Sequence, residues 1–491
     1  MSTQSEAVAV IDVGSSSLRV SLVTAESGRQ RSASGVFPRH IGSDGVNEFD
    51  ALAMAELSES LLLQLLHDPV TPPISGLAIT NQRASAIAWD GVTSLPVGYG
   101  ISWQDIRTTG RCLSLRSAGI AMSPSESATK FEHLARGVEP SMSLRFGTID
   151  TWLLWYLSRG SLHVTDASNA AMTGLTNDEV TDWSDQRLEA VRIGRKQLPR
   201  IVDSIGQIGS LTLDGYHLQI LAILGDQQAS LLGQGADQPG ATKCTLGTGG
   251  MVDTFLGAER PAFVRQGPHG GFPVVAYRHL GHNSWAAEGA MLSAGSSVEW
   301  LCNVLLRGAA PSHTAEISND ADLCDTTLFV PALGGLGTPE WDFGARGAFV
   351  GMGKSTGRAE LTRAVLRGIG YRAADIVLAL EEDTSTTANE LRVDGKVALN
   401  PHVTQALADA LGRPVRVAAE IESTTLGAGI AGLLGADCIT DTNEVGHLIT
   451  ERSQIEPALT SERQAEERLR WRNAVTLAGH HLPALSLLRF D

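Results

Sequence analysis

The sequence predicts an α/β fold built in two halves, and three observations carry that expectation. Short apolar runs, Gly/Ser-rich turns and amphipathic stretches alternate from end to end, the pattern of repeated strand–turn–helix units. A hairpin-like stretch at Val8–Val23 (VAVIDVGSSSLRVSLV) has a counterpart at Ala241–Leu256 (ATKCTLGTGGMVDTFL), one opening each half of the chain. At 491 residues the chain is too long for one core. Two domains are therefore expected, 1–238 and 239–491, divided at the turn cluster Gln238-Pro239-Gly240.

In the first hairpin an apolar run reaches Asp12, a Gly14-Ser15-Ser16-Ser17 turn follows, and alternation resumes from Leu18. Small side chains leave the backbone N–H groups of such a turn exposed, and three hydroxyls stand beside them, a set suited to phosphate. An Asp at the strand end can hold a hydrated Mg²⁺ against those phosphates. By itself the stretch reads more simply as an ordinary hairpin with a polar turn. The second copy, with Gly247-Thr248-Gly249-Gly250 as its turn, changes the balance. Two phosphate-type hairpins imply a duplicated domain with a nucleotide clasped between the halves, the layout of actin-like ATPases.

Along the first half, Asp50 is positioned to cap a helix bearing Leu52, Leu57, Leu61 and Leu65 near one face. Gly76–Thr80 reads as a strand ending in Asn81-Gln82-Arg83, Ala86–Trp89 as the next, and Ile101–Asp105 as the end of another. Arg83, Trp103 and Asp105 are thus expected on the rim where open α/β sheets bind ligands, although Trp103 also suits a core and Arg83 a structural ion pair. Thr148–Leu157 is an apolar helix and His163–Thr173 a polar loop into a strand. Leu221–Leu224 is a short strand running into Gly225-Asp226-Gln227-Gln228, where Asp226 can take a proton from a hydroxyl, cap the following helix, or do both.

In the second half Trp285–Leu301 reads as strand, turn, helix, and Leu328–Gly353 as Gly-rich loops with a short strand at each end. Ala359–Leu380 is a long helix, Glu381–Asn389 a surface loop, and Leu391–Val393 a strand leading to Asp394-Gly395-Lys396. A helix at Val403–Leu411, a strand at Val415–Ala418, a small-residue helix at Leu426–Leu434 capped by Ser423 or Thr424, and a charged peripheral helix at Glu451–Arg472 complete the chain. Gly353-Lys354-Ser355-Thr356 imitates the end of a P-loop, but Ala348 occupies the first glycine's place, and no GxGxxG follows a strand.

A formal charge of −16, with no stripe of Lys and Arg, argues against nucleic acid and anionic membranes as partners. Five scattered cysteines without a CxxC pair argue against a disulfide framework or a zinc site. No signal-type segment opens the chain and no apolar run is long enough to span a bilayer, so a cytoplasmic protein is expected.

A series of ordered motifs then gives a family resemblance: Asp12-Val13-Gly14-Ser15-Ser16-Ser17, Thr80-Asn81-Gln82-Arg83, Trp103-Gln104-Asp105, Gly147-Thr148-Ile149-Asp150-Thr151-Trp152, Gly225-Asp226-Gln227-Gln228, Gly247-Thr248-Gly249, Gly335-Leu336-Gly337 and Leu391-Arg392-Val393-Asp394-Gly395. In these the chain resembles the FGGY carbohydrate kinases over nearly its whole length, and among them the glycerol kinases most. The resemblance implies two actin-like domains with ribonuclease H-like cores that close over an interdomain cleft. It implies ATP-dependent, Mg²⁺-assisted phosphorylation of a hydroxyl on a small polyol or sugar. By matching position it makes Asp226 the general base, and Asp12 and Asp226 the metal ligands. Gly14, Ser15, Ser16, Ser17 and Thr248 become phosphate contacts, with Gly335, Gly395 and Asn400 at the nucleotide end. Arg83, Trp103, Asp226 and Gln227 form the acceptor pocket. Self-association is left open.

Three positions depart from the glycerol kinase pattern. Ala84 stands where a Glu grips the substrate, Ser125 where an aromatic residue precedes the Ala128-Thr129-Lys130 segment, and Lys396 where a second glycine lies near the adenine. One lost charge-assisted hydrogen bond is worth about 1.5–3 kcal/mol, so a larger polyol or sugar competes with glycerol as substrate. Lys396 can either crowd the base or meet a phosphate. The alternatives to a glycerol-type kinase are a pentulose (xylulose-type) or other sugar kinase and, from another class, a non-catalytic nucleotide-binding sensor.

Overall fold

Thirteen strands share one sheet, and their order reveals how the halves are joined. In chain order they are β1 (Ala7–Val13), β2 (Leu18–Thr24), β3 (Gly28–Gly35), β4 (Ile74–Asn81), β5 (Ile205–Leu213), β6 (Tyr216–Gly225), β7 (Ala241–Leu246), β8 (Gly250–Gly257), β9 (Phe272–His279), β10 (His282–Met291), β11 (Glu390–Asp394), β12 (Val415–Ala418) and β13 (Glu451–Ile455). Across the sheet they run β13-β12-β11-β7-β8-β10-β9-β5-β6-β4-β1-β2-β3. The strands before Asp226 occupy one end and those after it the other, and the seam between β5 and β9 is a single parallel bridge, Ile205 opposite His279. The computed structural model describes residues 6–43, 45–139, 142–322, 324–419 and 422–488.

Both ends of the sheet are built on the same unit. β1 pairs antiparallel with β2 and parallel with β4; β7 pairs antiparallel with β8 and parallel with β11. The hairpins foreseen from the sequence are therefore equivalent pieces of a repeated plan. Residues 7–11 of β1 are all fully buried because both faces of the sheet are covered. Ala7, Ala9 and Ile11 face the core that contains α1 (Ala51–Leu66) and α2 (Ile149–Leu157). Val8 and Val10 face the opposite core. α1 begins as the sequence suggests, with the Asp50 carboxylate accepting from Ala53 N at 2.9 Å. Its buried stripe is Ala51, Met54, Ala55, Ser58, Leu61, Leu62, Leu65 and Leu66, which leaves Leu52 and Leu57 at the edges.

The seam is closed by two helices rather than by strands. α3 (Asp226–Gly233) follows β6 directly. The long α4 (Arg358–Thr384) and α5 (Pro401–Leu411) fill the core of the second half. α6 (Ser423–Gly435) belongs to the second half in sequence, yet it packs Leu426, Ile430 and Leu433 onto Val8, Val10, Ala78 and Leu224 of the first. Glycines permit that crossing. A Cβ on Gly427 would lie 1.8 Å from Ala229 O, and one on Gly233 1.9 Å from Ser423 O, so backbone meets backbone.

Three sequence expectations need correction. Within His163–Thr173 the chain forms a strand, Val164–Asp166, and a helix, Ala167–Ala171, because the Asp166 carboxylate caps the N–H groups of Ser168 and Asn169. Glu381–Asn389 begins as helix, since α4 continues to Thr384 and stops at Ser385, a left-handed residue with φ 54°. Glu451–Arg472 divides into the edge strand β13 and α7 (Ser461–Ala478), which is capped by Thr460. The five cysteines are free thiols, and among the described residues no helix is long and apolar enough to cross a membrane.

The helix crossing sets a test. Gly427→Ala is expected to destabilise the protein by about 1–3 kcal/mol through forced separation of α3 and α6, read as a Tm drop of roughly 1–3 °C with a parallel loss of activity. Gly446→Ala, where an added Cβ meets nothing within 4 Å, is expected to leave Tm nearly unchanged.

Candidate active site

The turns of both hairpins are solvent-accessible and braced from below. In the first, Gly14 N donates to Ser17 O at 2.9 Å, and the indole Nε1 of Trp103 donates to Ser15 Oγ at 3.3 Å. In the second, Gly247 O accepts from Gly295 N at 2.8 Å, and Thr248 O accepts from Ala294 N and Ser296 N, both at 3.1 Å. Gly295 has to be glycine there, as a Cβ would lie 2.5 Å from Gly247 O.

The first turn of α6 ties the two hairpins together. Thr425 Oγ1 donates to Asp12 Oδ2 at 2.6 Å, at the end of β1. Two residues earlier, Ser423 Oγ donates to Asp394 at the end of β11, the residue paired in register with Thr245 of β7. Glu422 pairs with Arg19 on β2. One helical turn thereby fixes the acidic ends of strands from both halves.

Asp226 is the first residue of α3 and its side chain is 28 % exposed, whereas its neighbours Arg83 and Glu288 are buried. Gly225 lets Arg83 lie across the backbone, since a Cβ there would come within 2.7 Å of the Arg83 side chain. Arg83 Nε stands 3.5 Å from Asp226 Oδ1, and its Nη1 is 2.7 Å from Glu288 Oε2. Gln227 N donates to Asp226 Oδ1 at 2.8 Å, and the Gln227 amide oxygen accepts from Lys243 Nζ. Lys243, fully buried, lies 2.9 Å from Asp253 Oδ2.

A neighbouring wall collects residues far apart in sequence. Trp103, 39 % exposed, is held by its N–H on Ser85 Oγ at 3.2 Å. Lys130 Nζ donates to Trp103 O at 3.4 Å and to Ser125 O at 3.2 Å, while Ser127 Oγ donates to Ala84 O at 3.1 Å. Ser127 and Lys130 thus tie the backbones of Ala84, Trp103 and Ser125 into one wall.

The electrostatics follow from burial. The Asp226 carboxyl is pushed above its ordinary range by burial, against the opposing pull of Arg83, the Gln227 N–H and Lys243. Asp12 rises to about 6, mainly from burial; the Thr425 hydroxyl and Arg19 lower it, while Asp226 and Glu422 raise it further. Asp394 is raised by burial as well. The Lys130 ammonium is pushed down to about 7 by burial. Asp12 and Asp226, two hard oxygen donors close enough for the charge of one to disfavour that of the other, suit a hard divalent cation that would relieve this repulsion. Among the described residues no three His, Cys, Asp or Glu side chains form a ligand cluster, so a cation here would take its other ligands from phosphate and water.

Other predicted residues fall as follows. Gly395 (φ +89°) packs on the end of β7, where a Cβ would lie 2.4 Å from Leu246 O, so it adjoins the second turn. Gly335 (φ +96°) packs against the backbone of Phe343, with Cβ room of only 2.9 Å. Asn400 caps α5, accepting from His402 N at 3.1 Å and donating to Thr314 Oγ1 at 3.0 Å, so its side chain is engaged locally. Asp105 is not on the rim. It is fully buried, accepting from Asn47 N at 2.8 Å and pairing with Arg107, because a carboxylate facing inward needs such partners. Lys243, Asp253 and Glu288 escaped sequence reasoning; their signal was a lone charge inside each of three strands, which gains meaning only when pairing sets them side by side.

Comparison with known proteins agrees with this architecture. The family model for the FGGY family of carbohydrate kinases, N-terminal domain, matches residues 7–233, and that for the C-terminal domain matches 242–436. A glycerol kinase of Alkalilimnicola ehrlichii is 33% identical over 96% of this chain and 98% of its own length. Glycerol kinase 2 of Thermotoga maritima is 34% identical over 82% of this chain and 84% of its own. The crystal structure of Plasmodium falciparum glycerol kinase with ADP superposes with a TM-score of 0.88 at 24% identity, covering 99% of each chain. A ligand-bound xylulose kinase of Lactobacillus acidophilus does so with a TM-score of 0.81 at 19% identity, over 98% of this chain and 99% of that one. The fold is the two-domain actin-like ATPase fold with a cleft between its lobes.

The raised Asp12 carboxyl yields a pH signature. Its folded value of about 6 exceeds the ordinary 3.8, so the stability it contributes is full in acid and is lost as pH rises toward 6. Without nucleotide or metal, Asp12→Asn is expected to gain Tm relative to the parent between pH 4 and pH 6 and hold that gain above; a difference independent of pH would contradict the assignment.

Proposed function

The chain belongs to the FGGY family of carbohydrate kinases, and on that premise we propose how it acts: as an ATP-dependent polyol kinase of the glycerol kinase type in which Asp226 takes the proton of the acceptor hydroxyl. The observation that carries this reading is the open Asp226 carboxylate at the head of α3, held by Arg83 between the two braced hairpins. A polyol hydroxyl is a weak nucleophile until a base accepts its proton, and a carboxyl whose proton affinity is raised by partial desolvation is the better acceptor. Arg83, Trp103 and Gln227 line the acceptor side, and the small side chains of Ala84 and Ser125 make a larger polyol or a sugar as good a candidate acceptor as glycerol.

Gly14, Ser15, Ser16, Ser17 and Thr248 present donors to the phosphates, and Gly335 and Gly395 let the backbone approach the nucleotide. Asn400 acts there by fixing the start of α5. Asp12 and Asp226 would hold Mg²⁺ through water, and the ion supplies positive charge to the triphosphate oxygens. Closure of lobes 1–238 and 239–491 about α3 and α6 excludes water as a competing acceptor. The free thiols fit a cytoplasmic setting.

Asp226→Asn is expected to lower kcat by ~10²–10⁴-fold while ATP still binds, measured by ADP release across glycerol, tetritols, pentitols and pentuloses. An undiminished rate would remove Asp226 from the mechanism. Absence of ADP release by the parent protein with every acceptor would instead favour a nucleotide-binding sensor.

A further inference from the structure

Lys243, Asp253 and Glu288 stand directly opposite one another on β7, β8 and β10, and all are buried. From Lys243 Nζ the contact runs to Asp253 Oδ2 at 2.9 Å and from Arg83 Nη1 to Glu288 Oε2 at 2.7 Å, and Asp253 and Glu288 face each other as directly opposed residues of adjacent strands. Arg83 reaches Asp226, and Lys243 reaches Gln227. Asp226 and Gln227 are consecutive, so the six residues form a closed ring that crosses between the two halves.

We propose that Asp253 is a positioning residue for phosphoryl transfer: it shares one proton with Glu288, leaving the ring neutral so that Arg83 and Lys243 hold Asp226 and Gln227 in place. The inference rests on the reading of Asp226 as the base. Two cations face three carboxyl groups in the ring, and two buried carboxyls set directly opposite each other strongly disfavour each other's ionisation. Burial pushes Asp253 up to about 7, whereas Arg83 beside Glu288 holds that carboxyl below its usual range, so the proton sits on Asp253. The charged groups facing Asp253 are Lys243 from β7, Glu288 from β10, Arg83 from the end of β4 and, beyond it, Asp226 from α3. On the opposite face of the sheet, α4 presents Ile376 against Gly289.

Loss of the shared proton adds an uncompensated negative charge that draws Arg83 and Lys243 away from Asp226 and Gln227. In the parent protein kcat/KM for the polyol should therefore fall as pH rises through about 7. Asp253→Asn, uncharged at every pH and able to donate to Glu288, should abolish that decline while keeping the rate at pH 6 within about threefold. Asp253→Leu, which breaks the ring, should lower kcat/KM at least tenfold throughout, with the KM for ATP little changed. An Asp253→Asn profile identical to the parent's overturns the proposal, and it decides alone if Asp253→Leu does not fold. Asp226→Asn in the same assay separates the two claims: full turnover by that variant refutes the base, whereas an inactive Asp226→Asn beside an unaltered Asp253→Asn profile refutes only the ring.

Discussion

The crossing of α3 and α6 at Gly233 and Gly427 governs the geometry of everything around the cleft. Because backbone touches backbone, with no side chain between, the distance between the helices is fixed by van der Waals contact of main-chain atoms. α3 carries Asp226 at its head, and α6 carries Ser423 and Thr425, which hold Asp394 and Asp12. The strand seam between the halves is a single bridge and cannot supply such a constraint. The halves are thus held together by this helix crossing and by the ring of charged residues that runs from Arg83 and Asp226 to Lys243, Asp253 and Glu288.

Burial does two opposing things to the charges gathered there. It raises the proton affinity of Asp226, which a base needs, and it makes every unpaired charge costly. The cost is met by pairing: Arg83 answers Glu288 and Asp226, Lys243 answers Asp253, and Arg19 answers Glu422. The outcome is a cluster whose buried cations, Arg83 and Lys243, are engaged by the protein's own carboxylates.

Much of the plan was legible along the chain. The two hairpins, the Asp50 cap and the strand preceding Asp226 appear where local pattern placed them, because turn chemistry, capping and alternation act over a few residues. Local pattern misplaced what depends on distant partners. Asp105 reads as a rim residue by local pattern, yet Asn47 and Arg107 satisfy it in the interior, and the whole of β13 reads as helix because its partner, β12, lies more than thirty residues back.

By itself the sequence determined the α/β class, the duplicated hairpins and the strand that ends at Asp226, since each is written in short-range spacing. Only the tertiary structure decided that Lys243, Asp253 and Glu288 stand in one row, that Ser127 and Lys130 tie positions 84 and 125 into one wall, and that one turn of α6 grips Asp12 and Asp394. Strand register and helix crossing bring together residues tens to hundreds of positions apart, and the energy of a buried charge depends on those neighbours rather than on its place in the chain.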